Sequence, residues 1–289
     1  MTLLIAWTLV IGIVTAIACS LCGVFLVVKR EAFVSEGLSH AVLPGIILAF
    51  AFFEDRSSPW LIISAGLSGM LMVWLFQAIQ YTKRVDRDAA LGIVFSGLFS
   101  IGIIASSVKL SNVHFHAHCI IDGNLSFAAL KAWEWGGYYL GPRAFVTMLM
   151  MLTLIVGFIT VFYKELKLAS FDETSARLFG FRPTLLHSFW LAIVSMTAVA
   201  AFETAGTVLV VALMICPAAT ANLITSRIST MLWVSPLLAA IAAAAGVGLG
   251  TYLDISPAGP ISSVSGLIFF VVFLGSKSLD HNKRSALNA

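Results

Sequence analysis

Glu36 and His40 stand four residues apart in residues 33–45, FVSEGLSHAVLPG, a stretch set inside an otherwise apolar run. On a helix, residues at that spacing project from one face, so this carboxylate and imidazole can grip one ion or relay one proton. Ionisable groups at membrane depth are costly and by default mark a pathway. An internal Glu–His hydrogen bond that only stabilises packing satisfies the same spacing, and spacing alone leaves both readings open. Ser35 and Ser39 flank the pair as groups able to support it, although serines in membrane helices more often bond their own backbone. Just beyond, Pro44 and Gly45 are helix breakers, tolerated at such depth where neighbours or a cavity re-satisfy the backbone.

Other polar clusters carry less. His114, His116 and His118 alternate, so an extended chain would put all three on one side. They read either as a metal-collecting loop or as solvated interfacial side chains, the second being preferred, and Asp122 is a similar case. Cys19 and Cys22 form a CxxC inside the first apolar run with no second pair nearby, which argues against zinc or redox work. With Cys119 and Cys216 they imply no disulfide framework. The GVGLG at 246–250 lacks the strand–turn–helix setting of a nucleotide loop and suits close helix packing instead. No HExxH motif supports an intramembrane metalloprotease. The main rival is a gradient-driven transporter or channel using Glu36 and His40 as a relay.

The elements that must position these residues follow from composition. Of 289 residues, 60% are hydrophobic and 11% charged, and the mean hydropathy is +0.99. This excludes a soluble globular domain. A net charge of +3 also argues against a broad nucleic-acid surface. Apolar runs of about 20 residues, each long enough to cross a bilayer, recur from end to end. The spacing predicts helices near 3–28, 33–53, 60–81, 89–108, 144–163, 185–201, 204–224, 231–252 and 261–274. The first is too long for a signal segment and is read as retained. Because the junction at 203–206 is short, one broken span is an alternative, giving an all-α polytopic membrane protein of eight or nine transmembrane helices. Gly92, Gly97 and Gly102 allow close helix contact, Pro217 predicts a kink, and Trp133, Trp135, Tyr138 and Tyr139 suit a membrane interface.

Of the 17 basic residues, an outside N-terminus leaves only Arg56, Lys109, Lys131 and Arg143 in outer connections. The positive-inside rule therefore fixes the orientation. It places the His-rich connection outside, residues 164–183 in the cytoplasm, and Glu36 near the cytoplasmic end of the second helix. His187 and His281 lie near the same surface and receive no role. Glu203 opens the seventh segment near the outer face, as a gate, an ion-pair partner, a helix cap or a packing group, with the last two preferred. In the cytoplasmic segment Ser170 and Glu173 make a capping box, Arg177 lies in the last turn, and Gly180 and Pro183 end the helix. Phe171, Leu178 and Phe179 give it an apolar side that rests on the membrane or inserts into a partner.

Three motifs, SEGLSHAVLPG at 35–45, FDETSARLFG at 171–180 and ETAGTVLVVALMICPAATA at 203–221, resemble in order and spacing the signatures of the manganese/zinc/iron permeases of bacterial ATP-binding-cassette importers. The resemblance covers nearly the whole chain. It implies a single transmembrane permease domain over 1–289, with a coupling helix at 171–180 and a polar tail at 276–289. The implied fold is shared with cobalamin and siderophore permeases and lies in the bacterial inner membrane.

The implied partners are a second permease subunit (as homo- or heterodimer), two cytoplasmic ATPase subunits and an extracytoplasmic metal-binding protein. The cargo is Mn(II), Zn(II) or Fe(II), with no permanently bound cofactor. ATP belongs to the partner subunit, and the chain, which lacks GxxxxGK[ST], is no enzyme. The family's acid and histidine carry over to Glu36 and His40. Many members have Asp at the first place, so Glu36 moves the carboxylate by about a methylene. A pair from each subunit of a dimer would supply four oxygen and nitrogen ligands without thiolate, acceptable to all three metals. Ser35, Ser39 and Glu203 are then supporting or gating groups, and Phe171, Asp172, Glu173, Ala176, Arg177 and Gly180 form the ATPase-coupling segment.

Overall fold

The computed structural model describes residues 2–53, 59–82, 84–109, 125–130, 132–135 and 138–287. His114, His116, His118, Cys119 and Asp122 lie outside the described residues, as do the side chains of Ser39, Trp133, Trp135, Tyr138, Tyr139, Glu173 and His281. The element order is α1 (Thr2–Val28), α2 (Ala32–Ala41), α3 (Leu43–Phe53), α4 (Pro59–Tyr81), α5 (Arg87–Lys109), α6 (Leu125–Ala128), β1 (Ala132–Trp135), β2 (Tyr138–Pro142), α7 (Arg143–Val161), α8 (Tyr163–Phe171), α9 (Glu173–Leu178), α10 (Pro183–Ala205), α11 (Thr207–Ile224), α12 (Ile228–Tyr252) and α13 (Ala258–Leu287).

Among the described residues, eight stretches are long and apolar enough to cross a membrane: Leu3–Val28, Ala32–Phe50, Arg87–Val108, Arg143–Val161, Pro183–Ala205, Thr207–Ile224, Ile228–Tyr252 and Ala258–Ser276. Helix α4 has 23 residues and no charged side chain, and its rise of about 34 Å is also sufficient. The expectation of eight or nine spans thus holds among the described residues. The connection before α7 adds a short antiparallel hairpin that the hydropathy pattern did not reveal, with Trp135 opposite Tyr138 and Ala132 opposite Pro142.

The junction at 203–206 separates two helices. Gly206, at φ 84 and ψ 157, follows the end of α10, in a region of backbone space essentially reserved for glycine. Helix α10 runs on to Ala205, so Glu203 occupies its last turn instead of opening α11. An N-terminal cap by Glu203 is therefore excluded.

The chain forms two compact units. One comprises residues 1–30, 124–152 and 208–289. Within it α1 packs on α6 and α12, and α12 packs on α13. Val24, Ala218, Ala221 and Met231 form a buried cluster there. Small residues set the spacing of α12 and α13, since a Cβ at Gly246 would stand 2.4 Å from the Ile261 Cα. Pro217 lies inside α11.

The other unit comprises residues 31–123 and 153–207 and contains the Glu36–His40 pair. Helix α2 packs on α4, α5 and α10, while α3 packs on α4 and α5. Val42, Ile46 and Val199 make one buried cluster. Leu43, Ile47 and Phe50 make a second, against which Phe99 and Ala105 pack. The three glycines of α5 behave differently from one another: a Cβ on Gly102 would lie 3.2 Å from the Leu43 side chain, whereas one on Gly92 or Gly97 would meet nothing within 4 Å. Close helix contact through those two is thus a correction to the sequence reading, because they face open space in the single chain.

Candidate metal centre

Helix α2 begins at Ala32 after Glu31, whose carbonyl accepts from the Val34 N–H at 2.9 Å. Helical geometry then puts Glu36 and His40 about 6 and 12 Å along the axis from Ala32. The pair stays near the end of the span that the charge pattern assigns to the cytoplasm. His40 Nε2 stands 3.5 Å from Glu36 Oε1. For comparison, two ligands bound tetrahedrally at about 2.1 Å are separated by about 3.4 Å. The side chains are 49% exposed for Glu36 and 42% for His40, so a hydrated ion and further ligands can reach them.

The imidazole is held by α5. Its ring stacks on Phe95 at a centroid distance of 5.8 Å and meets Phe99 edge-on at 5.2 Å. Phe99 also packs on the Leu43–Ile47–Phe50 cluster, so the orientation of His40 is tied to the buried core of its unit. Among the described residues no group of three or more His, Cys, Asp or Glu side chains converges as a metal site. As metal ligands the pair alone would leave coordination incomplete, with the remaining positions open to water or to other groups.

Shortly after His40 the helical run is interrupted at Val42, between α2 and α3. Pro44 has no N–H to offer the carbonyl four residues back. Bonding continues on either side, with Val42 donating to the Leu38 carbonyl and Ile46 to the Val42 carbonyl, each at 3.2 Å. From α4, the Ser68 hydroxyl donates to the Ala41 carbonyl at 2.6 Å. A neighbouring helix thus satisfies backbone at the break, as apolar surroundings require. The approach is close, because a Cβ on Gly45 would lie 2.4 Å from the Ser64 carbonyl oxygen. Ser35 is fully buried, and its hydroxyl donates to the Ala32 carbonyl at 2.7 Å. Glu203 is exposed in the last turn of α10.

Sequence reading missed a second polar cluster in the same unit. Glu31 lies in the short Lys–Arg–Glu connection between the first two apolar runs and is only 1% exposed. Its carboxylate pairs with Arg87, the first residue of α5. The Nε2 of His187, in the second turn of α10, is 3.1 Å from Glu31 Oε2. The available signal was positional: each of the three residues stands at or near the start of an apolar helix, where the positive end of the helix dipole favours a carboxylate.

Along residues 171–180 the cap differs from the expected box. Asp172 is the N-cap of α9, accepting from the Ser175 N–H at 2.9 Å and from the Ser175 hydroxyl. Ser170 belongs to the preceding helix and donates to the Leu166 carbonyl at 2.7 Å. Its hydroxyl is therefore spent before α9 starts. The hydroxyl of Ser175, and then its backbone N–H, hold the Asp172 carboxyl below its ordinary value. At the other end Gly180, at φ 82, donates to the Arg177 carbonyl, and Phe181 donates to Ala176, which is a Schellman ending. Ala176 is buried, while Phe171, Leu178 and Phe179 are exposed.

Apolar stretches long enough to cross a membrane, one of which (Ala32–Phe50) holds the acid–imidazole pair, make this a polytopic membrane protein. The chain belongs to the ABC 3 transport family, whose description matches residues 1–276. It is 36% identical over 271 residues to the manganese transport system membrane protein MntD of Bacillus subtilis, covering 94% of this chain and 92% of that one. It is also 37% identical over 266 residues to the zinc transport system membrane protein TroD of Treponema pallidum, covering 92% and 72% of the two chains. Among solved structures, PsaBC from Streptococcus pneumoniae in complex with Fab superposes with a TM-score of 0.74 at 26% identity, covering 92% of this chain and 89% of that one.

Proposed function

We propose that this protein is the membrane permease subunit of an ATP-driven importer that carries Mn(II), Zn(II) or Fe(II) across the bacterial inner membrane into the cytoplasm. The observation that carries the reading is the near-chelating placement of Glu36 and His40, 3.5 Å apart on α2. Membership of the transport family supports it, as do relatives named for manganese and for zinc transport. A docked extracytoplasmic metal-binding protein releases its ion, and Glu36 and His40 replace part of the water shell. A second permease subunit supplies further ligands. Two cytoplasmic ATPase subunits, docked on the exposed side of α9, provide the work, since the chain has no phosphate-binding loop of its own. The half-exposed pair suits transport because an ion in transit must be bound weakly enough to leave.

The test is accumulation of each metal in cells carrying the complete importer, with an ATPase-inactive counterpart beside it. Uptake that stops when the ATPase is inactivated is expected. Uptake that persists without the ATPase but collapses with the proton gradient would establish a gradient-driven carrier instead.

A further inference from the structure

Glu31 is the most deeply buried charged side chain described, and it joins the starts of three helices: its own α2, α5 through Arg87, and α10 through His187. Two of these helices have separate duties under the reading above. Helix α2 carries Glu36 and His40 one and two turns further on. Helix α10 follows the capped segment α9 directly, and both α8 and α9 pack on it. The Glu31 cluster thus links the helix that carries the metal pair to the helix on which α8 and α9 pack. A loop acid left in water would need neither partner, and a buried carboxylate is tolerated only with partners as close as these.

We propose that Glu31 is a positioning residue for transport: held by Arg87 and His187, it passes displacement of α10 at the ATPase face to α2, and so sets whether Glu36 and His40 hold or release the ion. The proposal rests on the metal-importer reading. The side chain touches neither cargo nor nucleotide.

The test uses the complete importer in proteoliposomes, measuring equilibrium Mn(II) binding, ATP hydrolysis and Mn(II) moved per ATP hydrolysed. Glu31→Gln keeps the shape and removes the charge. It is expected to bind Mn(II) within about threefold of wild type and to hydrolyse ATP, while metal moved per ATP falls at least tenfold. His187→Ala should lower the same ratio, and His187→Gln, which restores a nitrogen donor, should recover most of it. A wild-type ratio in Glu31→Gln overturns the proposal, as does loss of Mn(II) binding and transport together, which would mark a purely structural cluster. If Glu31→Gln does not assemble, the His187 pair decides: equal ratios in His187→Ala and wild type overturn it. The metal-site reading fails by a different result, unchanged Mn(II) binding in Glu36→Gln, so the two are judged separately.

Discussion

The hydroxyl of Ser68 donates to the Ala41 carbonyl at 2.6 Å, across the contact between α4 and the break that follows His40. A buried carbonyl stripped of its partner costs about 1–3 kcal/mol. Ser68→Ala should therefore lower the thermal midpoint of the purified permease by several degrees. It should also reduce metal uptake through disturbance of the neighbouring His40, while leaving the ligand chemistry intact. An unchanged midpoint would show that the break is satisfied without Ser68.

Two glycines make a controlled comparison. A Cβ at Gly45 meets the Ser64 backbone at 2.4 Å, whereas one at Gly97 meets nothing within 4 Å. Forcing a methyl into packed backbone costs typically about 1–3 kcal/mol or more. Gly45→Ala should fail to accumulate or lose its cooperative melt, and Gly97→Ala should match wild type in both measurements.

The cap of α9 carries a pH signature. Bonds from Ser175 depress the Asp172 carboxyl below its ordinary value in the folded chain. A depressed folded value means that the cap's contribution is complete above the ordinary carboxylate range and is lost as pH falls through the lowered value. Protection of the Ser175 and Ala176 amides, taken relative to their intrinsic exchange rates, should fall below that range in wild type. In Asp172→Ala it should be low at every pH.

Leu178 and Phe179, exposed by 83% and 74%, form the apolar side of this short helix. If they enter the ATPase, Leu178→Ser with Phe179→Ser should abolish co-purification of the two subunits without lowering permease yield. Retained co-purification would place the docking surface elsewhere.

The membrane fold was legible because each span is a long, strongly apolar run with few charges, and the Glu36–His40 pair because four-residue spacing fixes a shared helix face. The Glu31 cluster was not, since its three members are 56 residues apart or more in sequence and meet only when α2, α5 and α10 pack. The sequence reading took Ser170 as the cap, where the structure uses Asp172. Both are good N-cap types, and the outcome depends on α8 continuing through Phe171. Glu203 was misplaced because nothing in ETAG marks where α10 stops except Gly206, whose positive φ is visible only in the backbone.

Equilibrium Mn(II) binding to the purified complete importer, with wild type beside Glu36→Gln and His40→Ala, tests the central claim most directly. A metal held by both side chains requires each variant to lose at least tenfold in affinity, with the fold intact by thermal melt and the ATPase still attached. Wild-type affinity in either variant would contradict the assignment and remove that side chain from the metal site.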